Sequence, residues 1–312
     1  MLNQNKNFNQ LNNNLGINFN ILFFFKKNKK NIFKNQFKKQ KKMKIKNQNK
    51  LPKNYYASYP QITYYSIEYQ NEKYNKNMED IIYIDPRFNG GHHKSLYCIY
   101  DGHGGNKTAK ITCEKFPNIF LKNINQKPKN IELSFINSFK YIDGILEKEN
   151  YLKEGNTATI IYIEYNNIYC ANVGDSSCVI ISKDKIEKIN YDDKINDKIE
   201  RKRILKLGKN NIYNDRLEGI LSISRALGDF NLKDSGLISL PHFKKYSLNY
   251  NDKYCIIASD GIWDFVSKDY LFEISKKNYL PNELCKIIVN VAIKNGSEDN
   301  ISCIVIGFNW KY

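Results

Sequence analysis

The chain has 312 residues, 41% of them hydrophobic, which suffices for one large domain or two small ones with a real core. Its formal charge is +17, yet residues 1–53 hold fourteen lysines and no acidic residue, so only +3 lies beyond them. The basicity belongs to a tail, which excludes a nucleic-acid-binding surface on the folded part.

No secretion or membrane signal is visible: the longest early apolar run, residues 21–25, is too short for a signal-peptide core or a transmembrane segment. Met1-Leu2 rules out N-myristoylation. Seven scattered cysteines without a C-x-x-C pair suit reduced thiols, and predict a cytoplasmic or nuclear protein.

Residues 1–54 form an Asn-, Lys- and Gln-rich extension whose isolated apolar residues cannot offset chain entropy, which predicts disorder. Its run Lys38-Lys39-Gln40-Lys41-Lys42-Met43-Lys44 suits a nuclear signal or an acidic-lipid contact, beside the plainer reading of a neutral low-complexity segment. From residue 55 onward, short β-rich runs predict strands over 95–100, 157–163, 168–173, 179–182, 221–224, 254–259 and 301–308. Tyr165-Asn166-Asn167 reads as a hairpin turn, because Asn tolerates positive φ, and strands joined that tightly are antiparallel.

A helix is predicted over 131–149, where Phe135, Phe139, Ile142 and Leu146 share one face, and another over 282–294, with Leu284, Ile287, Ile288 and Val291 as its stripe. Shorter helices are expected after Gly105 and over 200–207 and 269–276. Many strands with a few one-sided helices imply sheets packed together with helices outside.

The most informative stretch is Asp101-Gly102-His103-Gly104-Gly105, directly after an apolar strand. A carboxylate at a strand end is held rigidly, and glycines let backbone carbonyls approach a cation. The arrangement recurs at Ser259-Asp260-Gly261, followed by Ile262-Trp263-Asp264, and further acids stand at Met78-Glu79-Asp80 and Glu298-Asp299-Asn300. Oxygen donors without a Cys/His cluster point to Mg²⁺ or Mn²⁺ rather than zinc. No cysteine stands before a phosphate cradle ending in Arg, and no G-x-x-x-x-G-K-[ST] motif occurs.

These motifs, with Gly155-Asn156-Thr157-Ala158, Asn172-Val173-Gly174-Asp175-Ser176 and Ser222-Ile223-Ser224-Arg225-Ala226-Leu227-Gly228-Asp229, occur in the order found in the metal-dependent type 2C (PPM) protein phosphatases. The sequence resembles that family over residues 60–308. The resemblance implies an α+β fold, a four-layer α/β/β/α sandwich of two central, mainly antiparallel sheets flanked by helices, in a catalytic domain spanning 55–312. It implies two Mn²⁺ or Mg²⁺ ions. Asp101 would bridge them, Asp260 and Asp299 would complete one site, and Glu79 and the Gly102 carbonyl would serve the other. Asp80 would hold metal-bound water. Asp175 and Asp264 match positions that in some members hold a weaker third ion.

By the same resemblance the chain would be a serine/threonine phosphatase acting as a monomer on phosphorylated proteins, a bridging hydroxide attacking phosphorus and His103 protonating the leaving oxygen. The sequence departs from the family pattern at Lys73 and Asn75, where Gly and a phosphate-gripping Arg are usual, at Ser177, and at Asp192-Asp193-Lys194-Ile195. Lys73 or Lys76 would have to supply a point charge for phosphate in place of the Arg fork. The alternative is a pseudophosphatase that keeps the fold as a binding module; retention of every expected metal carboxylate argues against it.

Overall fold

A computed structural model describes residues 59–208 and 211–310. The extension at 1–54, with its lysine run, lies outside the described residues. In chain order the elements are β1 (Gln61–Tyr69), β2 (Ile81–Asp85), β3 (Lys94–Tyr100), β4 (Gly102–His103), α1 (Lys107–Ile124), α2 (Ile131–Lys148), β5 (Gly155–Asn156), β6 (Ala158–Glu164), β7 (Asn167–Val173), β8 (Ser177–Ser182) and β9 (Ile186–Lys188). They continue with α3 (Lys198–Leu205), β10 (Ile212–Tyr213), β11 (Arg216–Leu217), β12 (Leu227–Gly228), α4 (Phe230–Lys233), β13 (His242–Ser247), β14 (Asp252–Ala258), α5 (Asp260–Trp263), α6 (Lys268–Ser275), α7 (Pro281–Lys294) and β15 (Ile301–Asn309).

Two five-stranded sheets, ordered β1-β15-β14-β8-β9 and β13-β7-β6-β3-β2, are antiparallel throughout. Strand alternation explains the layers. On β3, Leu96, Cys98 and Tyr100 face Phe116, Phe120, Phe135 and Phe139 of α1 and α2, whereas Tyr97 and Ile99 face the other sheet with Ile257, Ile304 and Ile306. A third cluster joins Val179, Ile256, Ala258 and Val305 to Leu284 and Ile288 of α7. Three apolar cores separate four layers, α/β/β/α, and central strands buried on both faces read as continuous apolar runs.

Local signals set the helix ends. Asn130 accepts from Leu133 N at 3.0 Å to start α2, and Asp197 accepts from Ile199 N at 2.8 Å and Glu200 N at 3.1 Å to start α3. The expected hairpin turn joins β6 to β7, but the positive φ of 58° belongs to Tyr165 rather than to an Asn. Residues 221–224 form no strand: their bridges, Leu217 with Leu221 and Lys194 with Ile223, are isolated, and Ile223 is buried in a small separate core. The helix after Gly105 runs a full eighteen residues through Pro117. All seven cysteines are free, with Cys178 Sγ 3.4 Å from Cys255 Sγ. Among the described residues no helix is long and apolar enough to cross a membrane.

Candidate metal centre

Antiparallel pairing gathers the acids. Ile81 is opposite Tyr100, so Glu79 and Asp80, just before β2, meet Asp101, just after β3. Ala258 is opposite Cys303, so Asp260, just after β14, meets Asp299, just before β15. Both pairs lie at the same edge of the two sheets. Glu79, Asp80, Asp101, Gly102 and Asp299 line a cavity of about 250 Å³ with Asn75, Lys76, Asn77 and Asn300.

Amide side chains lock this edge. Asn300 Oδ1 accepts from Glu79 N at 2.7 Å, and its Nδ2 donates to Gln70 O at 2.7 Å and Asn77 O at 3.3 Å. Asn71 Nδ2 donates to Ser297 O at 2.7 Å. Thr157 N donates to Asp101 O at 2.8 Å. Gly102 is required by close approach: a Cβ there would lie 2.7 Å from Glu79 O and 2.9 Å from Gly105 O.

The electrostatics fit a cation. Burial, reinforced by Asp80, Asp260, Asp175 and Asp299, holds the Asp101 carboxyl well above its ordinary range. Burial pushes Asp80 up to about 7 and Asp260 up to about 8, and raises Glu79 and Asp175 as well. Asp80 Oδ2 is buried with no hydrogen-bond partner among the described residues. Clustered buried carboxylates without a counter-charge are costly, and divalent cations would relieve that cost.

Asp175 and Asp264 line a second cavity of about 300 Å³, where Lys194 Nζ lies 3.8 Å from Asp175 Oδ2 and 3.5 Å from Asp264 Oδ1. Of the two lysines proposed for phosphate, Lys76 lines the first cavity; Lys73 donates to Tyr74 Oη at 2.8 Å and is not among its lining residues. His103 is half-buried, its Nε2 2.6 Å from Asp229 Oδ2.

A further group of ligand-type side chains, Asp193, Glu200 and His242, has donor atoms within 4.8 Å of one another. A cation already serves it: Arg225 lies 3.2 Å from Asp193 Oδ1 and 2.6 Å from Glu200 Oε1. Asp193 also accepts from Gly174 N at 2.8 Å, which fixes the turn carrying Asp175. Sequence reasoning assigned no role to Asp193, Asp229 or Asn300. Asp229 and Asn300 stood inside matching motifs, and Asp193 inside a stretch that departs from the family pattern.

An α/β/β/α sandwich with an acidic metal-type edge defines a class of phosphatase, and the comparisons agree. A family model, protein phosphatase 2C, matches residues 67–301. The chain is 29% identical to protein phosphatase 2C homolog 1 of Schizosaccharomyces pombe over 77% of this chain and 71% of that one. It is 32% identical to probable protein phosphatase 2C 28 of Arabidopsis thaliana over 74% and 69% respectively. Its fold is similar to a serine-threonine phosphatase 2C from Toxoplasma gondii, with a TM-score of 0.67 and 18% identity over 81% of this chain and 96% of that one. The chain belongs to the protein phosphatase 2C family, whose members are serine/threonine protein phosphatases and, as a family, metal-dependent.

Proposed function

We propose that this chain is a metal-dependent phosphatase acting as a monomer on phosphoserine and phosphothreonine in proteins, with its catalytic unit in residues 55–312. Residues 1–54 are then an extension dispensable for the chemistry. The observation that carries the reading is the gathering of Asp80, Asp101, Asp260 and Asp299 at one edge of the sheets, where burial and mutual repulsion raise the Asp80, Asp101 and Asp260 carboxyls far above the ordinary range. An oxygen-only donor set suits Mn²⁺ or Mg²⁺.

Asp101 would serve both ions, Asp260 and Asp299 would complete one site, and Glu79 with the Gly102 carbonyl would serve the other. Asp80 would orient water there. When bound, two such ions activate a water molecule and offset the charge that develops at phosphorus. Lys76 steadies the phosphate as a point charge, and His103 hands a proton to the leaving seryl or threonyl oxygen. A third ion at Asp175 and Asp264 must compete with the Lys194 ammonium. The deciding experiment is hydrolysis of p-nitrophenyl phosphate and a phosphothreonine peptide by purified protein with Mn²⁺, with Mg²⁺, and after chelation. Turnover that survives exhaustive chelation overturns the reading.

A further inference from the structure

The three-stranded sheet β12-β5-β4 sets residues from distant parts of the chain in one row. Gly228 is paired with Gly155, and Gly155 with His103. Asp229, next after Gly228, therefore reaches across Gly155 to the imidazole. Gly155 permits the reach: a Cβ there would collide with Asp229 Oδ2 and lie 2.7 Å from His103 Nε2.

Asp229 is 3% exposed and has φ 50° and ψ 47°, a left-handed conformation that Asp and Asn tolerate better than most residues. Its backbone is held from both sides. Asp229 N donates to Glu154 O at 3.1 Å, and Gly228 N donates to Asp143 Oδ1 at 2.9 Å. Asp143 is itself bridged to Lys233 Nζ at 3.0 Å. A buried carboxylate kept in an uncommon backbone conformation and aimed at one ring nitrogen is built to orient that ring.

We propose that Asp229 is the positioning residue for His103. Its carboxylate accepts the Nε2–H, fixes the ring plane, and leaves Nδ1, which has no hydrogen-bond partner among the described residues, to serve the leaving group. As the P–O bond breaks, the doubly protonated imidazolium gives its Nδ1 proton to the seryl or threonyl oxygen and is left as the neutral Nε2–H ring, still hydrogen-bonded to Asp229. This inference rests on the reading of His103 as general acid.

The test uses the full chain carrying Asp229→Asn, which keeps the side-chain volume and the tolerance for positive φ; a thermal melt and a Mn²⁺ titration verify fold and metal affinity. On a phosphothreonine peptide kcat should fall on the order of 100-fold with KM within about twofold of wild type. On p-nitrophenyl phosphate, whose leaving group departs without a proton, the fall should be at least about tenfold smaller. In a His103→Ala background Asp229→Asn should cost nothing more. In the neutral form of the ring, the imidazole ¹⁵N signals that vanish in His103→Ala should report the Nε2–H tautomer in the wild type and lose that preference in Asp229→Asn. Gly155→Ala, which keeps both partners but forces them apart, should reproduce the kinetic pattern.

Equal losses on both substrates, or additive losses in the double variant, overturn the positioning role alone, provided His103→Ala by itself discriminates between leaving groups. If His103→Ala shows no such discrimination, the general-acid reading and the role of Asp229 fall together.

Discussion

The side-chain amide of Asn75 donates a 2.7 Å hydrogen bond to the carbonyl of Glu298, the residue before Asp299. Asn75, where the resemblance leads one to expect a phosphate-gripping Arg, thus ties one wall of the cavity to the other. On the proposed reading, phosphate would then be left to Lys76, which lines the cavity and is exposed. Lys76→Ala should raise KM for p-nitrophenyl phosphate several-fold, and added salt should raise the wild-type KM, because an exposed ammonium is screened. Asn75→Arg should lower KM, since a well-placed charged hydrogen bond is worth about 1.5–3 kcal/mol. Lys73→Ala should change little. A KM indifferent to both Lys76 and Asn75 would mean that phosphate is held elsewhere.

Removing the charge of Asp101 as Asp101→Asn should abolish turnover and weaken Mn²⁺ binding together. The loss should reach the limit of detection on both substrates, because both proposed ions depend on this carboxylate whichever group leaves. Calorimetric titration beside the activity assay checks it. Wild-type Mn²⁺ affinity in a dead variant would remove Asp101 from the ligand set.

Stability of the metal-free protein should fall as pH rises. Asp80 at about 7 and Asp260 at about 8 lie above their unfolded value of 3.8, so between those limits the folded state binds more protons than the unfolded one. Stability from these groups is full below the unfolded value and is lost as pH rises through the folded ones. In EDTA the melting temperature should be lower at pH 8 than at pH 5.5. Mn²⁺ competes with the same protons, so its affinity should increase over that interval with protons released to the buffer. Melts and titrations at the two pH values decide the matter.

Lys194 lies between Asp175 and Asp264; burial opposes its charge, but Asp175, Asp264, Asp260 and Asp192 together outweigh it and raise its pKa, so its ammonium stays protonated. Lys194→Ala should therefore open a third Mn²⁺ site. Titration should show one more ion bound per chain than in the wild type. An unchanged stoichiometry would mean that Asp175 and Asp264 do not form a site.

Glu200 is fully buried and hydrogen-bonded to Arg225, Arg203 and Ser224; although burial works against its charge, these partners lower its carboxyl to about 2. Glu200→Gln should cost about 3–5 kcal/mol by stranding the arginines. The sign follows from the lowered value: the contribution is complete above the unfolded value of 4.5 and disappears as pH falls through about 2. Urea denaturation at pH 7 and pH 3 should show the gap between wild type and variant narrowing in acid.

The acids at strand ends were legible in the sequence because an apolar run stopping at Asp-Gly is a local signal. β1 was not: Gln61–Tyr69 is an edge strand, half-exposed along its length, and its tyrosines break the two-residue alternation. Pro117 disguised the length of α1, since proline inside a helix normally ends it. Residues 221–224 look like a strand because Ile223 is buried, yet their burial comes from a small irregular core rather than a ladder. The contact between His103 and Asp229 spans 126 residues, and no periodicity encodes it. Only the row of β12, β5 and β4 brings it about.

β1 is paired with β15 along all nine residues, so the sheet whose edge carries Asp260 and Asp299 joins the first described strand to the last described one. Glu79 and Asp101 leave the ribosome long before Asp299 can join them, and closing so long a loop is slow. A nascent chain therefore carries half a centre. A protease that removes β15 should silence the proposed chemistry without touching a single one of its acids.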